Sequence, residues 1–189
     1  MTSIVPCITS GLVLLRGFRT DDVSVIQQAA SDPYIRLLTG LELGDAAGAT
    51  GYMKRQALRT ERGLGFSFAV AEAATDRLVG QIGLWLRDRA PDGATGYLEE
   101  PHGRAALGYW VAPQDRGRGY ATDALNAASS WALARDEVQR LELFIEPSNE
   151  PSWRAAERAR FQREGLLRRW QPIGDERRDM FVYSRLPED

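Results

Sequence analysis

The sequence predicts one mixed α/β domain, and three observations predict it. Its 189 residues suit a single domain. Short apolar runs of strand character are interspersed with helix-forming segments in the order β-α-α-β-β-β-α-β-α-β-β. No repeat, low-complexity tract or linker breaks that order. At 43% hydrophobic and 26% charged residues, the chain can bury a proper core.

The elements follow in turn. "LVLLRGF" (Leu12–Phe18) reads as the first strand. "TDDVSVIQQAA" reads as a helix with Thr20 as its cap and Asp21 and Asp22 in the first turn, where the helix dipole favours acids. Asp32-Pro33 closes that region. A second helix covers residues 45–62, weakened by Gly48 and Gly51. Phe66–Ala71 and Leu78–Arg87 form a hairpin around Ala74-Thr75-Asp76. A polar loop, residues 88–104, leads to Ala105–Val111, apolar on both faces as a central strand is. A third helix runs to about Ala134, followed by the strand "VQRLELFIEP". "SNEPSWRAAERARFQREG" is the fourth helix, with Pro151 in its first turn and Gly165 after its end. "LLRRWQP" and "RRDMFVYSRL" pair as the last two strands around Ile173–Arg177.

Composition excludes several function classes. A net charge of −2 supplies no global basic field for nucleic acid or an anionic membrane. With one cysteine, Cys7, no internal disulfide is possible, and one histidine, His102, rules out a multi-histidine metal site, so no metal is expected. The N-terminal "MTSIVPCITSGLVLLRG" lacks a basic leader and reads as strand rather than signal peptide. No run approaches the roughly 20 apolar residues of a membrane span, so a soluble cytoplasmic location is expected.

The chemistry is concentrated in "VAPQDRGRGYAT" (Val111–Thr122), where a buried strand feeds a helix through two glycines. The first-turn N–H groups of a helix have no internal partners, the dipole adds positive potential there, and glycines let a ligand approach the backbone. Such a turn is a phosphate cradle. Arg116 and Arg118 add charge. The turn lacks the lysine of a P-loop and the third glycine of a dinucleotide fingerprint. A coenzyme A pyrophosphate and an ordinary strand–helix connection both stay open on the turn alone.

The wider stretch "LGYWVAPQDRGRGYATDAL" resembles the acyl-CoA motif of the GNAT N-acetyltransferases, Q/R-x-x-G-x-G/A, with Gln114, Gly117 and Gly119 matching. Asn149, Ser152 and Phe161–Arg168, with "LVLLRGFRTDD" and "RRDMFVYSRL" at the two ends, resemble the ribosomal-protein (Rim-type) branch, and the likeness spans nearly the whole chain. It implies one N-acyltransferase domain over residues 1–189 on a mixed, mostly antiparallel sheet of about seven strands. That sheet would splay at a central parallel pair and be flanked by about four helices. It implies acetyl-CoA or another acyl-CoA as donor and an amine as acceptor. The pantetheine arm would lie along Trp110 and Val111, and the pyrophosphate on the amides of Arg116, Gly117, Arg118, Gly119, Tyr120 and Ala121, beside Gln114 and Thr122. Asn149 would touch the cofactor arm, and Ser152 would assist the sulfur.

The base is less well marked. Relatives carry an acid just before the G-Y-W segment, where this chain has Ala105 and Ala106. Glu142, acting through a water, and Glu99, Glu100 or His102 from the long loop are the substitutes. An α-amine needs less help than a lysine, which points to a terminal or small-molecule amine as acceptor. Arg160 stands where relatives have glycine, so the fourth helix is expected to run on. An idle acyl-CoA binding or sensing domain is the alternative reading, and a homodimer is left open.

Overall fold

A computed structural model describes residues 5–41, 46–86 and 103–189. Its strands are β1 (Ile8–Ser10), β2 (Val13–Arg16), β3 (Gly65–Glu72), β4 (Leu78–Leu86), β5 (Arg104–Val111), β6 (Arg140–Ile145), β7 (Gln162–Ile173) and β8 (Glu176–Arg185). Its helices are α1 (Val23–Ala29), α2 (Pro33–Thr39), α3 (Ala46–Glu61), α4 (Tyr120–Leu133) and α5 (Glu150–Arg158). The strands form one eight-stranded sheet in the order β1-β2-β3-β4-β5-β6-β8-β7. All neighbours are antiparallel except β5 and β6.

Helices cover both faces. The core on one side joins the sheet to α4 and α5 through Leu84, Leu107, Leu125, Leu141, Leu143 and Phe161. The core on the other gathers α1, α2 and α3 onto Ala69, Leu78 and Trp110. Alternation along the central strands explains this division. Ile82, Leu84, Leu107, Leu143 and Ile145 point to α4 and α5, and their sequence neighbours point the other way.

Three boundaries differ from the sequence reading. The strand expected over Leu12–Phe18 forms as Val13–Arg16, and another precedes it: the chain turns at Gly11, whose φ is +54°, and Ile8–Ser10 folds back onto β2. That adds the eighth strand. Asp32-Pro33 opens a helix instead of closing one. The Asp32 carboxylate accepts from the Tyr34 and Ile35 N–H groups at 2.8 and 3.0 Å, capping α2, and Pro33 sits in its first turn. That is the fifth helix.

The third difference is at Arg160. α5 does not run on but stops at Arg158, and Arg160 itself takes the left-handed conformation, φ +64°. Arg160 N–H donates to Glu157 O and Phe161 N–H to Ala156 O, which together make a Schellman turn. Burial of the Phe161 ring, only 3% exposed, holds the turn in place of the missing glycine.

Candidate active site

β5 and β6 pair at only three positions, Arg104 with Arg140, Ala105 with Leu141 and Ala106 with Glu142, and then part. Beyond that point β5 stays on β4 as far as Val111, and β6 stays on β8 as far as Ile145. A wedge therefore opens inside the sheet. Ala112 N–H donates to Val79 O, and the alternation of an antiparallel ladder then turns the backbones of Trp110 and Gly108 to β4. Tyr109 and Val111 are thus the strand residues whose backbone N–H groups face the wedge. Trp110 is engaged, its ring N–H donating to Tyr52 OH at 3.0 Å.

The wedge is part of a cavity of about 960 Å³. At one end stands the N-terminus of α4. Gly119 caps it with φ +90°, Gly117 has φ +76°, and among the described residues no side chain caps the first-turn N–H groups. Gly117, Gly119, Tyr120, Ala121 and Thr122 all line the cavity, and a methyl added at Gly117 would meet nothing within 4 Å. Here a 14-residue helix opens onto free space with its amides uncapped.

The charges in the turn serve to hold it. The buried Asp115 carboxylate takes two bonds from Arg77, at 2.8 and 3.0 Å. Arg116 donates to Val111 O and to Asp32, the cap of α2. The amides pull the Asp32 pKa below its ordinary range, with Arg116, against the opposing effect of burial. Arg118 lies exposed beside Asp115, and Gln114 reaches Gln28 at 3.4 Å; neither lines the cavity.

Midway, the Tyr109 hydroxyl and Ser152 Oγ lie 2.8 Å apart. Asn149 caps α5 by accepting from Ser152 N–H at 3.3 Å, which fixes Ser152 at the cavity wall, and both residues line it. Burial pushes the Tyr109 pKa up, and the Ser152 hydrogen bond opposes it, so the phenol stays protonated at neutral pH. Tyr109 was readable only as a core aromatic, since nothing in its local pattern reports a partner 43 residues away.

Glu142 is not brought to this group. It sits where β5 and β6 still pair, away from the cavity wall, and takes bonds from Arg104 and Arg140, both at 2.9 Å. Burial alone would raise its pKa, but the two guanidiniums outweigh that and hold it below the ordinary range. A carboxylate so stabilised as an anion is a weaker base. Glu99, Glu100 and His102 lie outside the described residues.

Apart from Asp115 in the turn, which Arg77 holds, the carboxylate that the structure places at the wall among the described residues is Glu146, just past β6 and 6% exposed. It accepts from Tyr34 OH at 2.7 Å and stands 3.4 Å from Arg178. Burial and then Glu146 push the Tyr34 pKa up. In "FIEPSN" this residue looks like a strand end. Its importance comes from α2, which the sequence reading missed. Beyond Tyr109 the cavity continues along α3 to Gln56, Arg59, Gln81 and Trp85.

Comparison with known proteins agrees with this geometry. Residues 13–162 match the family model described as an acetyltransferase (GNAT) domain. The chain is 24% identical over 176 residues to N-acetyltransferase p20 of Bacillus licheniformis, itself uncharacterized, covering 93% of each. Its fold is shared with a GNAT-family acetyltransferase of Bacillus anthracis, at TM-score 0.75 and 20% identity over 97% of this chain and 100% of that one. It is shared also with Mycobacterium smegmatis RimJ, solved with a CoA disulfide, at TM-score 0.72 and 23% identity over 97% and 87%. A wedge between parallel strands, an uncapped helix N-terminus and a family match over most of the length converge on one conclusion: the chain belongs to the GNAT acetyltransferase family.

Proposed function

We propose that this protein is an N-acetyltransferase that moves the acetyl group of acetyl-CoA to a primary amine by direct attack within a ternary complex. The observation that carries the reading is the cavity itself. One continuous space joins the uncapped amides of α4, the unpaired edge of β5 and the Tyr109–Ser152 hydroxyl pair.

The residues divide the work. The amides from Gly117 to Thr122 hold the pyrophosphate, and Arg118 has the freedom to approach it. The Val111 N–H in the wedge is placed to donate to the thioester carbonyl, with Asn149 on the opposite wall. As the amine nitrogen bonds to the carbonyl carbon and the C–S bond breaks, charge grows on oxygen and then on sulfur. Ser152, backed by the Tyr109 phenol, delivers a proton to the leaving sulfur. The amine proton passes to water or to Glu146, a carboxylate at the wall. With that carboxylate already engaged, an α-amine or other weakly basic amine, pKa about 7.7–8.0 against about 10.4 for lysine, is the better acceptor at neutral pH.

Two measurements test the reading. Acetyl-CoA should raise the melting temperature by mass action, and NAD and ATP should not. Thiol should then be released when a primary amine is added. Stabilisation by NAD alone would place the chain with nucleotide-binding proteins. Tight acetyl-CoA binding with no thiol release from any amine would favour a sensor.

A further inference from the structure

Arg59, in the last turn of α3, is half-buried at the cavity wall and differs from the arginines that carboxylates neutralise. Arg16 is matched by Asp22 and Asp76, Arg77 by Asp115, and Arg140 by Glu142 and Glu164. Arg185 donates to Asn126 Oδ1 and Ala159 O, although its Nε is likewise buried without a partner among the described residues, and it lines no part of the cavity. The Arg59 guanidinium instead sits over Trp85, its carbon 4.0 Å from the ring centroid. Its Nη1 is buried without a hydrogen-bond partner among the described residues. Burial pushes its pKa below the ordinary arginine value, with only Tyr52 opposing. A half-buried cation with a buried nitrogen left without a partner among the described residues is a costly feature, and it calls for an explanation.

Its surroundings supply one. Arg59, Trp85, Gln56 and Gln81 line the same cavity as Tyr109 and Ser152. Gly83 and Gly108 pair across β4 and β5, and their missing side chains make room for the stack. A Cβ at Gly108 would stand 3.1 Å from the Trp85 ring. A Cβ at Gly83 would stand 2.7 Å from Arg59 Nη1 and 3.0 Å from Gln81 Nε2, so two nitrogen donors converge there. Gln81 is oriented by donating to Ser67 Oγ, which donates to Gln56 Oε1. The corner is therefore rich in donors, singly positive and floored by an aromatic plane.

We infer that Arg59, with Gln81 beside it, binds a carboxylate carried by the acceptor, so that the substrates are amines of the amino-acid or peptide type bearing both groups. The inference rests on the transfer reading above. A guanidinium stacked by one face keeps its edge for hydrogen bonds, and that edge matches the two oxygens of a planar carboxylate. One cation suits a monoanion better than a phosphate dianion. The nucleophilic amine then lies toward Tyr109, Ser152 and Glu146, at the other end of the acceptor space.

The test uses acceptor pairs that differ at one group: a set of amino acids, their carboxamides, and the matching aminoalkyl phosphates. Thiol release from acetyl-CoA is measured with the wild type, Arg59→Gln and Arg59→Lys. Binding of the N-acetylated acid and N-acetylated amide to the CoA-loaded protein is followed by calorimetry. Charged hydrogen bonds predict a preference of about ten- to a hundredfold for acid over amide, in KM and in product binding. Arg59→Gln should erase that preference while acetyl-CoA affinity and the slow amide rate stay within about twofold, and Arg59→Lys should restore part of it. Equal use of acid and amide by the wild type, retention of the preference in Arg59→Gln, or a preference for the phosphate would each overturn the inference. Should Arg59→Gln fail to bind acetyl-CoA, the wild-type acid-to-amide ratio decides alone. If acetyl-CoA binds and no amine releases thiol, but the acetylated acid still outbinds its amide, the carboxylate site stands and the transfer reading falls.

Discussion

The two ends of the cavity are built from different materials. The donor end is backbone: amides of one helix start, shaped by Gly117 and Gly119 and steadied by Asp115 and Arg116. The acceptor end is side chains, with Tyr34 from α2, Arg59 from α3, Trp85 from β4 and Glu146 after β6. A backbone site tolerates change in nearly every side chain except those that set its dihedral angles. A side-chain site can be changed one residue at a time, with the scaffold left standing. On the proposed reading, the cavity separates what the protein takes acetyl from, which is common to its family, from what it gives acetyl to.

The strongest break in that comparison is at the glycines. Gly117→Val or Gly119→Val forces a branched residue into φ near +76° or +90° and puts methyl groups where the ligand would approach. Acetyl-CoA affinity should fall about a hundredfold or more, as two lost amide contacts and the strain would require. Unchanged affinity in calorimetry would remove the cradle from this turn. Ser152→Ala comes next. Loss of a positioned proton donor should lower kcat by roughly tenfold to a hundredfold with little change in acetyl-CoA affinity. A full-rate Ser152→Ala enzyme would leave that residue as a first-turn helix residue only.

Smaller effects sharpen the division. Asp32→Ala removes both the cap of α2 and the anchor of Arg116, so it touches both ends at once. Its cost should be about 1 kcal/mol in urea unfolding. The sign with pH follows from the lowered Asp32 pKa. Its contribution is complete above the ordinary aspartate value of 3.8 and is lost as pH falls from there through the folded value. Wild type and Asp32→Ala should thus converge in stability in acid and differ at neutral pH. A difference that persists unchanged well into acid would show that the charge is not what matters. Smallest of all, Arg160→Gly should stabilise the protein by about 1 kcal/mol by relieving a left-handed residue, with kcat and KM unmoved.

The same contrast explains what could be read from the chain beforehand. The donor end is contiguous, so "VAPQDRGRGYAT" carried its own signal, as did Asn149 and Ser152 three residues apart. Strands with long alternating or apolar runs were legible for the same local reason. The β1–β2 turn, with a three-residue strand on one side, offered too little pattern. α2 was missed because its start, Asp32-Pro33, also reads as a stop. Arg160 shows a local rule overridden by tertiary packing, since the burial of Phe161 decides where α5 ends. The acceptor residues were illegible because their meaning is relational. Arg59 is one arginine among many until Trp85 lies under it and its Nη1 is found buried without a hydrogen-bond partner among the described residues. Glu142, an acid in a suggestive place, lost its candidacy to two arginines that only the folded sheet brings near.

The measurement that bears most directly on the account is an initial-rate study varying acetyl-CoA against a fixed series of amine concentrations. Direct transfer in a cavity that holds both substrates at once predicts double-reciprocal lines that intersect, with thiol released only when amine is present. Parallel lines, or a burst of thiol from acetyl-CoA alone, would mean that the protein carries the acetyl group itself and would contradict the ternary complex.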